Sequence, residues 1–157
     1  MRNFFKSKLP LKNALILIDI QEKIIAPINN KDSIIKNIQK LLPKVGFTKI
    51  EKLDFSLASS QNLFEELDNK KITTLIICGF ETHICIQQSV LEFLKKGYEV
   101  QVISDAMGSR NNLDHQIALQ RMLHKGAIIT TTESMIFEIC KTSDRKEFKE
   151  ISNIIKN

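Results

Sequence analysis

Four short runs rich in aliphatic and β-branched residues recur along the chain: ALILIDI (14–20), TTLIICGF (73–80), EVQVISDA (99–106) and GAIITTT (126–132). Strands covered on both sides of a sheet need this kind of run. Around them, residues 32–42, 60–69, 85–96, 114–124, 133–141 and 144–156 repeat apolar side chains at three- and four-residue spacing, which predicts amphipathic helices. A strand that leads through a helix to the next strand of one sheet crosses over right-handed, so the alternation predicts parallel strands with helices on both faces. The predicted class is α/β: a doubly wound parallel sheet in three layers.

In such sheets ligands bind beyond the carboxyl ends of the strands, where strand order reverses. Asp19 ends the first run, and the second passes through Gly79 into a helical pattern whose first turn holds Cys85. A thiol at a helix N-terminus meets unpaired N–H groups and the positive end of the macrodipole, which favour the thiolate and make a nucleophile. Plainer roles stay open for both residues. A free cysteine is commonly a buried structural residue, and an aspartate after a strand commonly serves a turn or a helix cap. Cys78, inside a strand, and Cys140, near the end of a helix, fit the structural role better than Cys85 does.

The chain of 157 residues suffices for one domain, 1–157, with a core that buries about 70% of the unfolded surface. Glycine and proline are few and no repeat is present, so nothing marks a linker. A formal charge of +5 is spread over helix faces and chain ends, without the concentrated basic stripe that nucleic-acid binding needs. No run approaches the ~18 apolar residues of a membrane helix, and the start MRNFFKSKLPLKN lacks the apolar centre of a signal peptide. A cytoplasmic protein without membrane contact is expected. The three cysteines stand at irregular spacing, which argues for reduced thiols over a disulfide framework.

Several segments, in order, resemble the isochorismatase-like cysteine hydrolases, a family that includes nicotinamidases and N-carbamoylsarcosine amidase. LILIDIQEKI looks like the family's first strand with its aspartate and glutamine, EKLDFS is similar to the Lys-x-x-Phe-Ser segment of one subgroup, and GFETHICI resembles its Gly-x-x-Thr-x-x-Cys signature. VISDAMGSR looks like its Asp-Ala-x-x-Ser-Arg segment after the next strand, and GAIITTTESMIFEI resembles its final strand and helix. The resemblance implies six parallel strands, with the strand ending in Asp19 beside the strand that precedes Cys85 and the two meeting at the switch point. It also implies roles. Asp19 takes the proton of Cys85, Lys52 holds the carboxylate and stabilises negative charge, and the thiolate attacks the carbonyl of a small amide to give a thioester. The backbone N–H groups of Glu81 and Cys85 hold the oxyanion, with a cis peptide between Phe80 and Glu81.

Isochorismatase chemistry proper cleaves a vinyl ether and needs no cysteine, so Cys85 favours C–N hydrolysis. Metal-dependent nicotinamidases carry an Asp-x-His and a further histidine before the lysine, and no histidine stands there in this chain. No metal and no cofactor are expected, and His83, His115 and His124 read as surface or capping groups. Thr82 suits a helix cap, and Asp105, Ser109 and Arg110 suit a turn and a surface pair, with shaping of the pocket the other role open to them. A homo-oligomer with helix-mediated contacts is the expected partner state.

One departure stands out. The family usually inserts another strand and a long loop before the lysine segment, whereas IIKNIQKLLPKVGFTKIEK runs straight on, short by about 25 residues. Either that unit is naturally deleted or a segment is absent between Gln39 and Pro43; the expectation is the second, a chain break there with the absent loop a mobile lid. Two rivals differ in class. Thr-x-x-Cys at a helix start also resembles the peroxidatic site of peroxiredoxins, a thiol peroxidase or redox sensor, although the proline those enzymes place before the threonine is missing. A binding protein that keeps the fold without turnover is the other.

Overall fold

The computed structural model describes residues 12–42, 51, 53–144 and 148–156. In chain order they form β1 (Asn13–Ile18), α1 (Glu22–Ile25), α2 (Lys31–Leu41), a 3-10 turn (Leu57–Ser59), α3 (Gln61–Asn69), β2 (Thr74–Phe80), a π-helical turn (Thr82–Ile86), α4 (Gln87–Lys95), β3 (Glu99–Gly108), α5 (Asn112–His124), β4 (Ile128–Thr130), α6 (Thr132–Cys140) and α7 (Phe148–Lys156). The four strands are parallel in the order β1-β2-β3-β4, so each expected strand forms and the β1–β2 neighbourhood is the expected one.

Alternation along the strands splits the core in two. On β2, Leu75 and Ile77 point to one face, where they meet Leu63 and Leu67 of α3, Val90 and Phe93 of α4 and Met122 of α5. Ile76, Cys78 and Phe80 point to the other, against Ile34, Ile38 and Leu41 of α2, Met135, Ile136 and Ile139 of α6 and Ile151 of α7. The period of two in the strand and the three- and four-residue spacing in the helices are what bring these sets together. β2, paired on both edges, is buried along nearly its whole length, which is why its sequence reads as one unbroken apolar run.

The described residues carry four strands, where the resemblance implies about six with one open to absence from this chain, and their order runs straight across the sheet, so no reversal of strand order appears among them. β1 is therefore an edge strand among the described residues, and its Leu15 and Leu17 are only half-buried. The helix carrying Cys85 also starts three residues before the predicted boundary, as a π turn whose Ile86 N–H reaches the Glu81 carbonyl at 3.2 Å. Helical periodicity does not register such a turn. Of the expected break between Gln39 and Pro43, the part through Leu42 is continuous: Leu42 N–H donates to the carbonyls of Ile38 and Gln39 at 3.1 and 3.3 Å. Pro43 lies outside the described residues.

β1 and β2 approach closely at Gly79. Ile18 pairs with Gly79, and a Cβ added at Gly79 would stand 2.1 Å from the Ile18 carbonyl oxygen, with backbone φ at +126°. Only glycine fits both constraints. Gly79→Ala is expected to lower the free energy of unfolding by about 3 kcal/mol, read as a fall in the urea midpoint at unchanged slope. An unchanged midpoint would show that the strands tolerate a wider spacing.

Candidate active site

The register Ile18↔Gly79 decides what stands at the carboxyl ends of the two strands. One residue beyond it on β1 is Asp19, in a left-handed conformation with φ +50°. Beyond it on β2 come Phe80 and Glu81, joined by a cis peptide bond, and then the π turn that bears Cys85. Asp19, Glu81 and Cys85 thus emerge at the same end of two adjacent strands. Lys52, the other residue of the expected catalytic set, lies outside the described residues, although its neighbours are described on both sides.

The three thiols are not equivalent. Cys85 keeps 8% of its surface exposed, against 0% for Cys78 and 1% for Cys140. Burial pushes the Cys78 thiol up to about 12, so it stays protonated at neutral pH. The Cys140 thiol donates to the Thr142 carbonyl at 3.3 Å at the end of α6. Cys78 and Cys140 are core residues, in keeping with the structural role read for them.

A buried serine ties the turn of Cys85 to the segment after Lys52. Ser89 Oγ donates to the Cys85 carbonyl at 2.7 Å and accepts the Leu57 N–H at 2.8 Å. Next to it, Ser56 Oγ donates to Glu92 Oε2 at 2.9 Å. Through these bonds the stretch 56–59 docks along α4. Ser89 was visible in the sequence as a small polar residue on the stripe Cys85, Ser89, Phe93, where an apolar side chain is the rule. Sequence reasoning passed over it, and over Glu92.

The histidines also differ from expectation. Thr82 does not cap its helix; its Oγ1 shares a 3.0 Å hydrogen bond with Nδ1 of His115, whose imidazole burial holds below its ordinary pKa. His83 Nδ1 lies 2.9 Å from Ser109 Oγ, and Arg110 Nε lies 3.2 Å from Glu81 Oε2. Only His124 keeps a capping role, with Nδ1 2.7 Å from the Gln120 carbonyl. Asp105 sits away from Cys85 in its contacts: its carboxylate accepts the Thr132 N–H and hydroxyl at 2.7 and 2.9 Å, at the start of α6.

Comparison with known proteins decides the family. The Isochorismatase domain model matches residues 43–134. The chain belongs to the isochorismatase family. Isochorismatase family protein 1B of Dictyostelium discoideum is 46% identical over 111 residues, which cover 69% of this chain and 54% of that protein. Isochorismatase domain-containing protein 2 of Xenopus laevis is 31% identical over 143 residues, 88% of this chain and 69% of that protein. Among solved structures, a MAR1 ribonuclease from Caenorhabditis elegans superimposes with a TM-score of 0.81 at 29% identity, over 94% of this chain and 91% of that one. The chain spans little more than half the length of the Dictyostelium relative. Thr82 and Cys85 fall inside the isochorismatase match, so their likeness to a peroxidatic site carries no separate weight.

Two outcomes follow for this site. Iodoacetamide at about pH 7 is expected to label Cys85 first and Cys78 last, since labelling needs both access and thiolate; equal rates in folded protein would contradict the distinction. Ser89→Ala strands the buried Leu57 N–H and is expected to cost about 1–3 kcal/mol of stability, measured by urea unfolding.

Proposed function

We propose that this isochorismatase-family chain hydrolyses the C–N bond of a small amide, with Cys85 as nucleophile, Asp19 as base and Lys52 beside them. The observation that supports this most is the placement of Asp19 and the Cys85 turn at one end of two strands in the register Ile18↔Gly79. Asp19 removes the thiol proton, and the sulfur forms a bond to the carbonyl carbon while the C=O π electrons move to oxygen. The N–H groups of Glu81 and Cys85 receive that oxyanion, as preorganised donors do in acyl transfer. When the carbonyl re-forms, the C–N bond breaks and the amine leaves with the proton from Asp19. Water, deprotonated by Asp19, then adds to the thioester carbon; the C–S bond breaks, the acid departs and Cys85 regains its proton. Lys52 offsets the charge of the carboxylate and thiolate at this stage.

The reading extends to place and assembly. A cytoplasmic site is supported by three cysteines that form no disulfide, and staining of a tagged chain outside the cytoplasm would contradict it. A homo-oligomer is supported by Leu113, Ile117 and Leu123, which leave apolar side chains exposed on α5. Light scattering that gives a monomer mass would contradict that. No helix among the described residues is long and apolar enough to cross a membrane.

A second reading, a binding protein that keeps the fold without turnover, has one observation in its favour: no strand among the described residues pairs with the outer edge of β1, which carries Asp19 at its end. Ammonia release from a panel of small primary amides separates the two, with peroxide consumption measured alongside. Steady release is expected, abolished in Cys85→Ala and lowered about 10²- to 10⁴-fold in Asp19→Asn and Lys52→Ala. Release that survives in Cys85→Ala would defeat the mechanism, and no release from any amide would favour the binding protein.

A further inference from the structure

β3 does not run straight. It follows β2 in register through Ile77↔Val102 and resumes at Gly79↔Met107, so two steps on β2 face five on β3 and three extra residues bulge out. In the straight register, Val102 plus three would set Asp105 opposite Phe80; the bulge sets Gly108 there instead. Ser109 and Arg110 consequently emerge next to Glu81 and the π turn. The bulge is held from three sides: Ser104 Oγ donates to the Thr130 carbonyl at 2.9 Å, the Asp105 carboxylate accepts from Thr132 at 2.7 and 2.9 Å, and Asn37 Nδ2 donates to the Asp105 carbonyl at 2.8 Å. Bulges near sites commonly re-aim side chains in this way.

What the bulge delivers is a pair of ties across to the nucleophile's turn. Ser109 Oγ meets His83 Nδ1 at 2.9 Å, and Arg110 Nε meets Glu81 Oε2 at 3.2 Å. The Arg110 side chain is 58% exposed while that of Glu81 is 12% exposed, so the pair sits at the surface end of a nearly buried carboxylate. An ion pair that open to water adds little to stability. Its geometric effect is larger: together the two ties fix residues 81 and 83, which bracket the start of the π turn.

We propose that Arg110 and Ser109 are positioning residues that hold the Glu81–His83 turn so that the Glu81 N–H is aimed at the developing oxyanion. This rests on the acyl-transfer reading given above. Two probes of Cys85 divide the outcomes, because p-nitrophenyl acetate acylates a thiol through a tetrahedral oxyanion and iodoacetamide alkylates it by displacement at a saturated carbon, with no oxyanion formed.

Arg110→Gln and Glu81→Gln are each expected to slow the p-nitrophenolate burst about tenfold while alkylation stays within about twofold of the parent chain. The double variant should be no slower than either single one, as two ends of one interaction require, and Arg110→Lys should recover part of the burst. Ser109→Ala tests the second tie by the same ratio. Both probes slowed equally, or neither slowed, in variants with an unchanged melting temperature would overturn the proposal. A parent chain that alkylates at Cys85 but gives no burst would overturn the acyl-transfer reading itself, and the proposal with it.

Discussion

The contact between Ile18 and Gly79 governs the rest of the site. At this point β1 and β2 approach so closely that the Cβ of any other residue would overlap the Ile18 carbonyl, and the backbone of Gly79 adopts a φ that L side chains rarely take. The register that results leaves Asp19 one residue and Glu81 two residues beyond this pair on neighbouring strands. A shift of one residue would turn the side chains of β2 to the opposite faces and break both halves of the core, so burial of Leu75 and Ile77 on one side and Ile76 and Phe80 on the other enforces the same register.

Around this fixed point the chain uses polar bonds between elements far apart in sequence. Ser89 couples the Cys85 carbonyl to the backbone of Leu57, Thr82 reaches His115 on α5, and the end of β3 reaches Glu81 and His83. The turn that carries the cysteine is thereby held from α4, α5 and β3. A reactive group on a turn gains little from a lowered pKa alone if the turn drifts, since loss of alignment with a substrate carbonyl costs rate directly.

Most of the fold was legible because it rests on periodicity. The four strands were found in place, and the helices over 31–41, 61–69, 112–124 and 132–140 lie within two residues of the expected ranges at each end. Strand count beyond four came from the family, not from the residues, and the described residues do not carry it. The bulge in β3 escaped because EVQVISDAMG reads as a strand throughout; only register against β2 reveals the extra residues. Asp105, which reads as a turn residue in the sequence, accepts from Thr132 through its carboxylate. In the sequence Ser109 and Arg110 read as a surface pair or as shapers of the pocket, because nothing there separates a solvated arginine from one aimed at a glutamate only 12% exposed. The α1 turn was missed for being too short, at four residues, to show any period.

Family membership fixes the fold, and the proposed role of Cys85 as nucleophile rests on its position at the strand ends. The most direct measurement is intact and peptide mass spectrometry on the full chain, quenched in acid during turnover of a small amide. Thioester chemistry predicts one acyl group on the peptide that contains Cys85, removed by hydroxylamine and absent from Cys85→Ala. An acyl group on another residue, or Cys85 found unmodified while the amide is being consumed, would contradict it.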